Sequence, residues 1–399
     1  MNPSLPPAPE SSRPGRSRHR SRRAPLAVLL ALGLTVALVA AACSSTKTGG
    51  STDGSAVLGS PLTIEPQQRF PEGTTLKVVT HDSFAVSQDV LAQFTAQTGV
   101  EVQLIPSGDA VTAVNKAILT KGNPEGDVLF GIDENLLTSA FDAGLFQPYQ
   151  AAGLKDVPAQ FQVDPQHRVT PIDHGDVCVN YDRTWFTDQG LPLPTTFADL
   201  AQPALKGKLV VQDPSASSPG LAFMLATIAS QGGADDASSS AAWVRYWQQL
   251  KDNGVKVVDG WETAYNVDFS GSAGKGDRPL VVSYASSPPF EVTDPATPPD
   301  QAPTGVIAAT CYRQTEFAGV LTGAAQPEAA AAFIEFMLSL PFQEDVPQQM
   351  YVFPVNSQAV LPETWQRYTT PVADPLAIPY EKVGANRDGW VQQWSALFR

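Results

Sequence analysis

Three short polar clusters hold the side chains of this 399-residue chain best able to do chemistry: His81-Asp82-Ser83-Phe84, Asp133-Glu134-Asn135, and Asp213-Pro214-Ser215-Ala216-Ser217-Ser218-Pro219-Gly220. The first contains the three residue types of a hydrolytic triad. Consecutive residues of an extended segment point to opposite sides, so they cannot form a relay from Ser to His to Asp. No Gly-x-Ser-x-Gly turn accompanies them, which leaves a secreted hydrolase as the weakest reading. The third cluster is small and rich in hydroxyls, and it enters an apolar run at Leu221. Such a loop either offers backbone N–H groups and Ser hydroxyls to an anion or caps a helix in the ordinary way, with Ser218 ahead of Pro219. The segment Gly271-Ser272-Ala273-Gly274-Lys275-Gly276 has Phe269 where a phosphate loop needs its first glycine and Gly276 after the lysine, so it reads as a surface turn. No Cys-x-x-Cys or His-x-x-x-His spacing occurs, which argues against a structural metal.

The elements that must position these clusters alternate. Leu76 to Thr80 reads as a strand, and Val86, Val90, Leu91 and Phe94 then mark one helix face. Gly99 to Ile105 is the next strand, Val111, Val114, Ala117 and Ile118 mark the next helix, and Asp127 to Ile132 is a third strand. This βαβα order implies a mainly parallel sheet covered on both faces. A second set follows: a strand over Lys208 to Gln212, helices over Leu221 to Ser230 and Ala241 to Lys251, and short strands over Lys256 to Val258 and Leu280 to Ser283. Glu316 to Thr322 reads as a further strand, and Pro327 opens a helix through Leu338. The fold class is therefore α/β in two lobes. All three polar clusters fall at strand ends, where open α/β sheets bind ligands.

The start of the chain describes an export signal: Arg22-Arg23, an uncharged run from Ala24 to Ala42, then Cys43 before Ser44-Ser45-Thr46. Small residues ahead of a cysteine favour cleavage and lipidation at Cys43 over a plain transmembrane anchor. The route, general secretory or twin-arginine, stays open. Six of the 26 basic residues and one of the 40 acidic residues precede Ser44, so the chain from there carries 20 against 39 and a formal charge of −19. Such a surface disfavours nucleic acid and anionic lipid. Residues 44–74, rich in Ser, Thr, Gly and Pro, read as a tether spanning roughly 30 Å. Beyond Cys43 only Cys178 and Cys311 remain, either as a disulfide or as two buried thiols.

Several phrases in order resemble the thiamine-binding lipoproteins, the solute-binding components of ABC importers. They include Thr80-His81-Asp82-Ser83-Phe84, Gly131-Ile132-Asp133-Glu134-Asn135-Leu136-Leu137 and Gln212-Asp213-Pro214 through Ser218-Pro219-Gly220-Leu221. Gly260-Trp261-Glu262-Thr263-Ala264-Tyr265, Ser283-Tyr284-Ala285-Ser286-Ser287-Pro288 and Phe353-Pro354-Val355-Asn356 continue the series. The resemblance implies a two-lobed periplasmic-binding-protein fold, type II-like, with the ligand cleft between lobes. It divides the chain into a signal peptide (1–43), tether (44–74), first part of lobe I (75–175), lobe II (176–285), return to lobe I (286–345) and a C-terminal segment packing on the lobes (346–399).

The implied ligand is thiamine, thiamine monophosphate or thiamine diphosphate, whose rings need flat faces and whose permanent charge needs acceptors. Trp261, Tyr284 and Tyr351 are the ring candidates, with Phe290 a further flat face in place of a tyrosine. Asp82 and Asp133 are the acceptor candidates, and Ser217 and Ser218 fall at the hydroxyl or phosphate end. No cofactor, metal or catalytic residue is implied. The expected partners are an ABC permease and, through lipid on Cys43, the outer face of the cytoplasmic membrane, with the protein a monomer. The alternatives are the same fold holding a polyamine or ferric iron, although iron sites of this kind use paired tyrosines and no Tyr-Tyr occurs.

Overall fold

Two long central strands organise the molecule. The computed structural model describes residues 62–64, 68–235, 238, 241–293, 299–369 and 372–398; the export signal, Cys43 and most of the tether lie outside the described residues. The chain opens as β1 (Thr75–Thr80), α1 (Gln88–Thr98), β2 (Glu101–Pro106), α2 (Ala110–Leu119), β3 (Val128–Asp133), α3 (Glu134–Asp142) and β4 (Phe146–Gln147). Next come β5 (Thr170–Asp182), α4 (Arg183–Gln189), α5 (Phe197–Leu200), β6 (Leu209–Gln212), α6 (Ser218–Ser230) and α7 (Ala242–Asp252). They are followed by β7 (Lys256–Val258), α8 (Trp261–Thr263), β8 (Leu280–Tyr284) and β9 (Thr304–Leu321). The chain closes with α9 (Pro327–Met337), α10 (Leu340–Met350), β10 (Phe353–Pro354), α11 (Glu363–Tyr368) and α12 (Tyr380–Phe398).

The sheet runs in the order β2-β1-β3-β9-β5-β8-β6-β7, with β4 on β9 and β10 on β5. At one end β1 pairs in parallel with β2 and β3. At the other, β6 pairs in parallel with β7 and β8. Both sets are the products of strand–helix–strand crossovers, as the alternating pattern requires. Between them β5 and β9 run antiparallel, from Thr170 opposite Ala318 to Asp182 opposite Thr304. The β5 residues Val177 to Tyr181 also pair with β8, whereas the β9 residues Glu316 to Val320 pair with β3. Each long strand therefore passes from one half of the sheet to the other. This is a mixed α/β fold of two lobes.

The long strands depart from the periodicity reading, which starts a strand only at Glu316 and finds none at Thr170 to Asp182. Their middles carry Asp173, Asp176, Arg313 and Gln314, which break any apolar alternation. Of these, Arg313 and Asp176 satisfy each other, Arg313 donating from Nε at 2.6 Å, and Gln314 donates to Glu316 at 3.3 Å. Beside the Asp176–Arg313 pair Cys178 and Cys311 are joined as a disulfide, both buried.

One apolar core lies under α2, α3, α6 and α7, and α12 contributes Val383, Trp390 and Trp394 to it. The last helix packs on both ends: Gly384 approaches Thr138 of α3 so closely that an added Cβ would lie 2.4 Å from it, and Trp394 meets Trp247 of α7 edge-on at 5.4 Å. A second core joins α1, α9 and α10 through Phe94, Phe333, Phe336 and Phe342. A smaller one gathers Trp261, Tyr265 and Phe269 against Val210 and Val281. Among the described residues no helix is long and apolar enough to cross a membrane.

Candidate functional site

The polar strand ends converge on one cavity of about 200 Å³. Its wall joins His81, Asp82, Ser83 and Phe84 after β1 with Asp109 at the start of α2, Ser218 and Pro219 at the start of α6, and Trp261 after β7. Tyr284 at the end of β8, Glu316 in β9 and Tyr351 after α10 complete it. Chain order explains most of the convergence, because the contributors from β1, α2, α6, β7 and β8 end a strand or begin the element that follows one; Glu316 lies within β9 and Tyr351 follows α10.

Trp261 presents a fixed aromatic wall. Its indole N–H donates to Ser283 Oγ at 3.0 Å, and its ring stacks on Tyr265 with centroids 5.0 Å apart and planes 13° apart. Tyr351 meets it edge-on at 5.7 Å. Tyr351 occupies the left-handed region, with φ 63°, where a β-substituted residue is strained; its carbonyl is held by the Ser286 hydroxyl and its ring by Phe290. Phe290 stands behind Tyr351 rather than in the wall. Tyr284 lies beside Gly175, where a Cβ would come within 2.9 Å of its ring, so that glycine makes room for the phenol. Burial, with Glu316, Asp109 and Asp173 nearby, drives the Tyr284 hydroxyl well above its ordinary range and keeps it neutral.

The carboxylates do two kinds of work. Asp82 accepts the Gly108 N–H at 2.9 Å and ties two strand-end loops together. Asp133 caps α3 through Asn135 N–H at 2.8 Å and also accepts the Ser218 hydroxyl. Burial raises its pKa to about 7, the Ser218 bond opposing and Glu316 reinforcing the rise. Asp109, absent from the sequence-based candidates, accepts N–H groups from Ala110 at 2.7 Å, Ser218 at 3.1 Å and Trp261 at 3.1 Å. Burial also raises its pKa, the Ser218 and Trp261 N–H groups opposing. Its signal was present, an aspartate after a glycine and immediately before an apolar helical run.

Glu316, also missed, lies 3.7 Å from His81 Nε2. Burial alone would lower the imidazole pKa, but Glu316, with Asp109 and Asp82 behind it, carries it above the ordinary value. Asp173 is fully buried beneath the same cluster, and burial together with Glu316 raises its pKa.

Of the candidates read from sequence, Asp82, Ser218, Trp261, Tyr284 and Tyr351 line the cavity. Ser217 and Asp133 are buried behind it. Four carboxylates face in, from Asp82, Asp109, Glu262 and Glu316, and neither Lys nor Arg is among the lining residues. Flat rings and acceptors in a walled space suit a cationic aromatic solute. Among the described residues no group of three or more His, Cys, Asp or Glu is placed to hold a metal ion.

Comparison with known proteins agrees with this architecture. Residues 89–373 match the family model of the bacterial extracellular solute-binding proteins. The thiamine-binding periplasmic protein of Escherichia coli K12 is 30% identical over 324 residues, covering 80% of this chain and 92% of that protein. That of Brucella suis is 31% identical over 331 residues, covering 81% and 91%. A solved periplasmic thiamin binding protein superposes with a TM-score of 0.69 at 27% identity, covering 82% of this chain and 99% of that one. The chain belongs to the bacterial extracellular solute-binding protein family.

Proposed function

We propose that this protein captures thiamine or its phosphate esters outside the cytoplasm and delivers it to an ABC importer permease. The observation that carries the reading is the composition of the cavity wall: the rings of Trp261, Tyr284 and Tyr351 beside four carboxylates and no Lys or Arg. The relatives named above support it. Trp261 and Tyr351 supply ring faces, each worth about 0.5–2 kcal/mol to a cation above it. Phe290 backs Tyr351. Asp82 and Asp133 balance the positive charge, and Ser217 and Ser218 lie at the substituent end.

Capture proceeds by closure. Lobe I comprises residues 75–175 and returns within 286–345, lobe II comprises 176–285, and residues 346–399 pack on both, with β5 and β9 as the crossing strands. A ligand that touches both lobes favours the closed state by its differential affinity for that state. The closed monomer then docks on the permease. Cleavage before Cys43 and lipidation of its thiol hold the protein at the outer face of the cytoplasmic membrane. No catalytic step is assigned to any residue.

The test is a thermal-shift panel with thiamine, putrescine and ferric citrate. A ligand at a thousandfold excess over its Kd stabilises the folded state by about 4 kcal/mol, so the true ligand raises Tm by several degrees. Thiamine is expected to do so and the other two are not; a shift with putrescine or iron alone would move the assignment within the family. Cys43→Ser should release the protein from the membrane fraction, and continued retention would remove the lipid anchor.

A further inference from the structure

The ladder between β5 and β9 carries two irregularities of unequal size. One residue, Ile172, is extra near its start; farther on, Cys178 alone stands opposite four β9 residues, Ala308 to Cys311. Such a bulge bends the strand that carries it and interrupts the pairing. Its place coincides with a change of neighbours. On the Thr170 side, β9 goes on to pair with β3, and β5 carries β10 at Asp173 and His174. On the Asp182 side, β5 pairs with β8 from Val177 to Tyr181. The larger bulge therefore lies where one half of the sheet gives way to the other.

Two links span the gap in the ladder. One is the Cys178–Cys311 disulfide. The other is Thr310, whose Oγ1 accepts the Val179 N–H at 2.9 Å and donates to the Ile307 carbonyl at 2.7 Å. Beyond them β9 is held along its other edge, where the Leu376 N–H donates to the Cys311 carbonyl at 2.8 Å and the Leu376 carbonyl accepts the Arg313 N–H at 3.0 Å. Thr310 and both cysteines are buried, whereas Ala308 and Ala309 are exposed. Small exposed residues between two firmly paired blocks are those able to absorb a change of φ and ψ.

We propose that Ala308 and Ala309 are the flexing point of closure and that the Cys178–Cys311 bond, with the Thr310 hydroxyl, is its pivot, keeping β5 and β9 together while the two ladder blocks turn against each other. This rests on the thiamine reading for the ligand that drives the turn. Without the pivot β9 is free to part from β5 at the bulge, the open ensemble is wider, and the fraction of protein able to close on ligand falls. None of these residues lines the cavity, so they act on binding as positioning residues.

The first experiment is hydrogen exchange of the full chain in detergent, freed of carried ligand by unfolding in urea and refolded with the disulfide intact, with and without thiamine. Amides in the peptide spanning 306–312 should slow by at least about threefold on binding, without touching the ligand. Slowing confined to the peptides that line the cavity overturns the proposal; no slowing anywhere in folded protein overturns the thiamine reading instead. Stopped-flow binding to Cys178→Ala with Cys311→Ala then separates a pivot from a staple. Association should fall about fivefold while dissociation stays within about twofold, because the contacts of the closed state are unchanged. A staple would lower the unfolding midpoint and leave both rates as they were, and a distorted cavity would speed dissociation; either result overturns the proposal. Thr310→Val keeps the disulfide and removes the acceptor of the Val179 N–H, so it should slow association in the same direction by about twofold, and it stands in if the double variant does not fold. An association rate unaltered in the folded variants overturns the pivot.

Discussion

Cys178 and Cys311 join β5 to β9 beside the Asp176–Arg313 ion pair, in the stretch where both strands pass between the two ends of the sheet. The bond spans 133 residues of chain. Closing a loop of that size restricts the unfolded ensemble, so Cys178→Ala with Cys311→Ala should cost about 2–4 kcal/mol. Urea unfolding with and without the pair measures it, and a thiol count on the nonreduced, denatured protein should find neither cysteine free. An unchanged midpoint would mean that the unfolded chain gains nothing from release.

Trp261 is held by its bond to Ser283 and its stack on Tyr265, so its face is presented without further ordering cost. Trp261→Ala should weaken thiamine binding by more than about tenfold, and Trp261→Phe by less, since a smaller face remains. Circular dichroism would verify the fold of each variant. Affinity unchanged in Trp261→Ala would remove this ring from the site.

Burial raises the pKa of Asp133 to about 7. A bound cation favours the ionised carboxylate, so binding releases a proton in the range where Asp133 is partly protonated. Thiamine affinity should therefore rise between pH 6 and 8 and level off above, by roughly severalfold. Asp133→Asn, which retains the α3 cap, should flatten the profile. A wild-type affinity that increases toward pH 6 would contradict the role.

His174 lies between Phe161 and Phe353, at 4.5 and 5.4 Å. Burial lowers its pKa to about 4, with Arg313 adding to the effect. The unfolded imidazole takes up a proton near pH 6.5 and the folded one does not, so its contribution is complete above that pH and is lost as pH falls toward 4. The raised pKa of Asp133 acts in the opposite direction over the same range, which makes a paired comparison necessary. From pH 7 to 5 the unaltered protein should lose about 1–2 kcal/mol more stability than His174→Phe. Equal losses would show that this histidine is protonated in the folded state.

Much of this was legible in the sequence. Parallel strands and their crossover helices follow from apolar periodicity, because each buries one side against the sheet. The strand-end rule then directs attention to His81-Asp82, Asp133 and Ser218, whereas Trp261 was reached only through the resemblance to the thiamine-binding lipoproteins. What periodicity misses is the centre, where Asp173 and Asp176 in β5 and Arg313 and Gln314 in β9 leave no apolar pattern, and where Asp176 pairs with Arg313 across the two strands. Asp109 and Glu316 were missed for a related reason. Their roles come from partners more than a hundred residues away, Ser218 and Trp261 for one, His81 for the other.

The central claim is that the cavity binds thiamine, and isothermal titration of the refolded protein with thiamine tests it most directly. The account predicts saturable heat at one site per chain, with affinity reduced in Trp261→Ala; no heat from protein shown to be folded and free of carried ligand would contradict it.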